Sequence, residues 1–217
     1  MPKESLSEDT LLRMLVAAIT ETIARLTMLR TAGKYEQALE VIDQNLEELL
    51  GLKANLVRQL DESKIVEMLT NNDFLDVASL YQVAEVFRQE GLIRAEMGQT
   101  AQAFSCQVRA LNLYLEVCFA VENDFLEADN RVDELFDALG DNTPEDTLFS
   151  TFDYYEQVGA YDRAEISINR MLQATGNNPE ILAEKRAFYE RMLAESDEEL
   201  EAGGLNREII TRAYQQL

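Results

Sequence analysis

The side chains best suited to chemistry in this 217-residue chain are two cysteines, Cys106 and Cys118, and an excess of carboxylates, 41 Asp and Glu against 19 Lys and Arg. There is no histidine, so the commonest general base and metal ligand at neutral pH is missing. Neither cysteine then has an imidazole to take its proton, and an activated thiol is not expected. Their spacing of twelve residues fits no zinc or redox motif. Both fall in an apolar helical pattern and read as small, reduced core residues of a cytoplasmic protein. Carboxylate pairs could serve acid–base catalysis or bind a cation, and Asp129, Asp133 and Asp137 recur at intervals of four on one helix face. A water-facing helix often has that spacing, and no loop alternates oxygen ligands as a calcium site requires. A glycine-rich phosphate loop is also missing. The expectation is a protein that is not an enzyme and holds no metal and no cofactor.

Charge narrows the partners. A formal net charge of −22 repels phosphate backbones and anionic bilayers, so neither nucleic acid nor a membrane is the expected partner. Between Glu116 and Glu165 fifteen acids face two arginines, Arg131 and Arg163. Such a block is either a solvated surface that keeps the chain soluble or a receiver for a basic protein or peptide. The opening "MPKESLSEDTLLRMLVAAITETIARL" carries acids where a signal peptide needs cations. Its longest wholly apolar run, Met14 to Ile19, is far short of the roughly 20 residues that span a bilayer. A cytoplasmic location is expected.

Side chains at such positions must be placed by helices. Three prolines, nine glycines and 47% hydrophobic residues leave little for linkers and supply a sizeable core rich in helix formers. From Asp9 to Thr31, Leu12, Leu15, Val16, Ile19, Ile23, Leu26 and Leu29 recur every three or four residues, behind a possible capping box from Ser5 to Glu8. A second helix is predicted over Glu36–Leu50, closed by Gly51. Short turns follow to the stop "NND", with Asp73 as candidate cap of a helix that begins at Phe74 and ends at Gly98. Further helices are predicted from Thr100 to about Val121, Phe125 to Leu139, Pro144 to Val158 and Tyr161 to Ala174. Another starts at Asn178 and Pro179, and a terminal one at Asn206, beyond a two-glycine break at 203 and 204. No strand pattern is evident. The predicted class is all-α, with about 10–12 helices in one domain over residues 1–217.

"GKYEQALEVIDQNL" from Gly33, "GQTAQAFSCQVRAL" from Gly98 and "GAYDRAEISINRML" from Gly159 share a glycine followed five residues on by alanine: Ala38, Ala103 and Ala164. A chain that reverses between antiparallel helices needs left-handed backbone angles, which glycine reaches freely. The alanine lets the two axes approach closely where they cross. Tyr35 and Tyr161 would fill two of the elbows, and Thr100 the third. This arrangement resembles the second half of a tetratricopeptide repeat. Phe87 and Gly91 stand at first-half positions of the middle copy, whereas Gln107 replaces an apolar residue. The elbow glycines are 65 and then 61 residues apart, against a period of about 34 in such repeats, so each unit carries extra helices. The layout, with its ending "ESDEELEAGGLNRE", is similar to an uncharacterised bacterial family of repeat-like helical proteins. The resemblance implies an irregular array of antiparallel hairpins, a TPR-like right-handed superhelix with inserted helices, that acts as a binding scaffold.

The carboxylate clamp of Lys, Asn and Arg found in some such repeats is absent, since the matching positions hold Ile23, Thr27, Gln89, Asp146 and Ser150. The candidate groove is instead Ile23, Thr27, Arg88, Leu92, Phe149 and Asp153, a surface suited either to a peptide or to packing against inserted helices. Three functions stay open: an interaction module for a protein or peptide, a basic one among the candidates; a self-assembling homo-oligomer, such as a homodimer, built through the helix at 9–31; and a peptide-sensing regulator. The last must act through another chain, because no basic helix-turn-helix segment is visible. Treatment with a chelator is expected to leave helicity and melting temperature unchanged, since no ligand cluster links metal to folding. A clear drop in melting temperature would reveal a carboxylate-built site, with Asp129, Asp133 and Asp137 the first residues to replace.

Overall fold

A computed structural model describes residues 8–121 and 127–217. Among these there are twelve α-helices, so the protein is all-α. In chain order the helices are α1 (Glu8–Thr31), α2 (Tyr35–Leu50), α3 (Ala54–Val57), α4 (Glu62–Met68), α5 (Val77–Glu96), α6 (Thr100–Ala120) and α7 (Ala128–Leu139). There follow α8 (Glu145–Gln157), α9 (Tyr161–Ala174), α10 (Pro179–Ala194), α11 (Asp197–Ala202) and α12 (Arg207–Gln215). The chain divides into two compact units, residues 1–135 and 136–217.

The first unit is built on α5 and α6, with α1 and α2 forming a hairpin whose second arm packs on α5. Leu26, Ile42, Leu46, Leu80, Phe87, Leu111, Leu113 and Tyr114 fill its core. Gly91 sets the α5–α6 approach. A Cβ there would stand 3.1 Å from Cγ of Gln107 and 3.3 Å from the Ala103 carbonyl oxygen. The aliphatic stem of Gln107 crosses the bare backbone of Gly91 at this contact. The second unit pairs α8 with α9 and adds α10 and α12. Its core is aromatic, with Phe152 edge-on to Phe188 and Phe136 edge-on to Tyr155.

The three elbows share one geometry. Gly33, Gly98 and Gly159 have φ of +67°, +75° and +76°. In each case the glycine N–H bonds three residues back and the next N–H five back: Gly33 to Arg30 and Lys34 to Leu29, Gly98 to Ala95 and Gln99 to Arg94, Gly159 to Glu156 and Ala160 to Tyr155. This pair of bonds is the Schellman closure, which satisfies the last carbonyls of the first helix. Ala38, Ala103 and Ala164 are all buried, as crossing positions must be.

Several local details differ from expectation. Residues 70–75 form a two-strand hairpin, Thr70–Asn71 (β1) against Phe74–Leu75 (β2). Asn72 and Asp73 both take positive φ, 50° and 65°, as a tight hairpin turn demands. Asp73 therefore cannot cap the next helix. Asp76 does so instead, its Oδ1 accepting from the Ser79 N–H at 3.0 Å, and α5 begins at Val77 rather than Phe74. The expected capping box from Ser5 and the helix start at Phe125 lie outside the described residues. A capping box that the sequence reading passed over does form, between Ser196 and Glu199 at the start of α11. Asn178 and Asn206 cap α10 and α12 as expected.

The elbow at Gly159 is also a docking point for Gly203, whose carbonyl accepts from the Asp162 N–H at 2.9 Å. A Cβ on Gly203 would stand 2.6 Å from the Gly159 carbonyl oxygen and collide with the Tyr161 ring. Ala164→Leu and Gly203→Ala are each expected to overpack this corner and to cost about 1–3 kcal/mol. Urea unfolding checks both. An unchanged midpoint in either variant would remove that residue from the contact.

Candidate functional site

Helix α5 is buried nearly all round, and its interior includes three polar side chains: Glu85 (2% exposed), Gln89 and Glu90 (0%). A carboxylate held in such a place must be ion-paired and hydrogen-bonded or it will not ionise. The surroundings of Glu85 meet that demand. Its oxygens accept from Arg88 Nη2 at 2.9 Å and Nε at 3.0 Å, from Gln89 Nε2 at 2.7 Å and from the Tyr114 hydroxyl. Arg131 approaches to 4.0 Å from α7, and Glu134 in turn pairs with Arg131 at 2.9 Å. Burial by itself would push the Glu85 carboxyl up, but the Arg88 hydrogen bonds and charge, with help from Gln89 and Tyr114, hold it below the usual range. Burial, and then the Glu85 charge, raise the Tyr114 phenol well above its usual range. The Tyr114 hydroxyl stays a donor.

Glu90 sits one turn on, under a second set of arginines. It accepts from Arg58 Nε at 2.9 and 3.0 Å and from Arg94 at 2.6 Å. Arg58 Nη2 also reaches Asp43 on α2 at 2.6 Å, and Arg94 Nη1 reaches Gln99 at 2.8 Å. Arg109 of α6 binds Glu62 at 2.9 Å and the carbonyl oxygens of Arg58 (3.0 Å) and Leu60 (2.6 Å), so it closes the segment after α3. Its guanidinium lies 5.1 Å from the Phe87 ring centre. Arg58, Arg94, Arg109, Phe87, Ser105 and Cys106 line a cavity of about 130 Å³ here. Burial, reinforced by Glu90, pushes the Cys106 thiol up to about 12, so it stays protonated and is not a nucleophile at neutral pH.

In the second unit the polar interior is made of hydroxyls. Thr151 on α8 and Ser167 on α9 are 2.7 Å apart, and Ser167 also donates to the Leu148 carbonyl at 2.8 Å. The outward face of α9 carries a cleft with Ile166, Leu205 and Ile209 as its apolar lining and Asp162, Glu165 and Glu201 as its acidic lining. Ile166 is 38% and Ile209 59% exposed, so the cleft is an open apolar surface and not a filled one.

The candidate groove residues fall in both units. In the first, Ile23 is half-buried and Thr27 exposed on α1, while Arg88 and Leu92 are half-buried on α5. Arg88 is committed to Glu85 and so belongs to the interior ion pair. In the second, Phe149 (47% exposed) and Asp153 lie four residues apart on the outward face of α8. Partial burial, then Glu156 and Glu184, raise the Asp153 carboxyl. The carboxylates proposed as a ligand row have other duties: Asp137 accepts from Arg163 Nη1 at 2.7 Å. Among the described residues no three His, Cys, Asp or Glu side chains gather as a metal group. No helix among them is long and apolar enough to cross a membrane.

The arginine sites were not foreseen from sequence, although a signal existed. Glu85 with Arg88 and Glu90 with Arg94 have the i,i+3 and i,i+4 spacing of helical ion pairs, inside a run that is otherwise apolar.

These features define a class, an all-helical protein of closed hairpins with an ion-paired interior. Over residues 5–217 the chain matches a family of unknown function, DUF6483, and it belongs to that family. No curated protein and no solved structure matches it.

The depressed Glu85 carboxyl gives a pH test. A group whose folded pKa lies below its unfolded value adds stability above the unfolded pKa, 4.5, and that stability is lost as pH falls through the folded pKa. Urea midpoints measured between about pH 5 and pH 3 should fall less steeply for Glu85→Gln than for the wild type. Equal slopes would show that Glu85 gains nothing from its partners on folding.

Proposed function

We propose that this chain is an interaction module, a helical scaffold that binds a protein or peptide and does no catalysis. The observation that carries the reading is the cleft on α9, where Ile166 and Ile209 stay open to solvent beside Asp162, Glu165 and Glu201. Exposed apolar side chains rimmed by polar ones mark interaction surfaces. Carboxylates around an apolar strip favour a basic amphipathic segment, drawn in by charge and held by apolar contact. Phe149, exposed beside Asp153 on α8, offers a second anchor of the same kind in this unit. The repeated elbows support a repeat-like, TPR-related scaffold, which often serves binding. Cys106 and Cys118 form no disulfide, which supports a reducing setting such as the cytoplasm.

Self-assembly is the second reading, favoured by the outward face of α1. Ala17, Thr20, Ala24, Thr27 and Met28 are exposed there, with Glu21 and Arg25 the charges among them. A peptide-sensing role through another chain would use the same α9 cleft.

Selection from a random peptide library separates these readings. The wild-type protein is expected to enrich sequences that combine Lys or Arg with apolar residues at helical spacing, and the Ile166→Glu, Ile209→Glu double variant, equally helical, is expected to lose that enrichment. No enrichment, or the same enrichment with the double variant, overturns the cleft as the binding surface. A concentration-dependent dimer by sedimentation, broken by Ala24→Glu, would favour the second reading in its place.

A further inference from the structure

We propose that the cavity lined by Arg58, Arg94 and Arg109 is a binding site for a small oxyanion, either phosphate or a short carboxylate. Three guanidinium groups border this space, whereas one carboxylate, Glu90, is among its lining residues. Asp43 and Glu62 pair with the arginines but do not line the cavity. With these two counted, three guanidinium groups meet three carboxylates, so the place is neutral in a chain of net charge −22.

The donors are not all consumed. Arg58 spends Nε on Glu90 and Nη2 on Asp43, and its Nη1 has no hydrogen-bond partner among the described residues. Ser105 and Gln102, on the outward side of α6, line the same space, and neither side chain makes a hydrogen bond among the described residues. A guanidinium edge, a hydroxyl and a carboxamide together suit the oxygens of one anion, and arginine's planar fork matches carboxylate and phosphate geometry. A cavity of about 130 Å³ has room for a phosphate or a two- or three-carbon acid. The Phe87 ring and the Cys106 side chain supply an apolar wall, which strengthens charge pairing by excluding water. The thiol is held neutral there, so its part is lining and not chemistry. A metal ion is disfavoured by the three cations.

The test uses the full chain. Melting temperature and calorimetric heats are followed as inorganic phosphate or acetate is added, with sodium chloride at matched ionic strength as control. A saturable rise in melting temperature with phosphate, acetate or both, beyond that of chloride, is expected, and the anion that saturates at the lower concentration identifies the preferred shape. Gln102→Glu and Ser105→Glu place a negative charge at exposed positions that hold no part of the core, so helicity should persist while affinity drops at least tenfold. If neither anion exceeds chloride, or if both variants respond as the wild type does, the site does not exist.

Discussion

The first unit depends on two carboxylates that have no access to water. Burying an ion costs several kcal/mol unless charge and hydrogen bonds are returned to it, and Glu85 and Glu90 sit in consecutive turns of the most enclosed helix. Groups from four elements answer them. Arg88 and Arg94 come from α5 itself, Arg58 from the end of α3, Tyr114 from α6 and Arg131 from α7. The short helices α3 and α4, anchored by buried Ala54, Val57 and Ile65, are held by these ions as well. Arg58 and Arg109 tie that segment down through Glu90, Glu62 and three backbone carbonyl groups. Removing a partner leaves a buried charge uncompensated, which is far more costly than losing a surface pair.

The second unit solves the same problem with less charge. Its buried Thr151 and Ser167 pair through their hydroxyls, and two of its arginines lie over a ring, Arg170 at 4.3 Å and Arg163 at 5.2 Å from the Phe136 centre. The acids Asp162, Glu165 and Glu201 line the cleft beside Ile166, with Glu165 accepting from the Tyr189 hydroxyl. The polarity of the two surfaces follows from where the arginines are spent. In the first unit they gather around Glu90 and border the small cavity. In the second they leave an acidic rim on an open cleft.

Much of the fold was legible in the sequence because helix ends depend on local chemistry. Gly33, Gly98 and Gly159 take the left-handed angles that their spacing to Ala38, Ala103 and Ala164 implied, and Asn178 and Asn206 cap as read. Asp73 was misread because a two-residue hairpin turn and a helix cap ask for the same residue types, and only the φ of 65° separates them. The arginine sites were harder to read, because their i,i+3 and i,i+4 spacing is shared by exposed helices. Glu85 and Glu90 resemble solvated helix residues until the packing of α6 and α7 encloses them, and Arg58 lies 32 residues from the carboxylate it serves.

Hydrogen exchange at neutral pH over the whole chain tests the dependence on α5 most directly. If the paired carboxylates anchor the first unit, amides from Val83 to Gly91 and from Ala110 to Val117 should be the slowest to exchange in that unit, and Arg58→Met should speed both stretches together with α3 and α4 while leaving α8 and α9 unchanged. Exchange of the Val83–Gly91 amides as fast as those at the exposed end of α1, or an unaltered pattern in Arg58→Met, would contradict it.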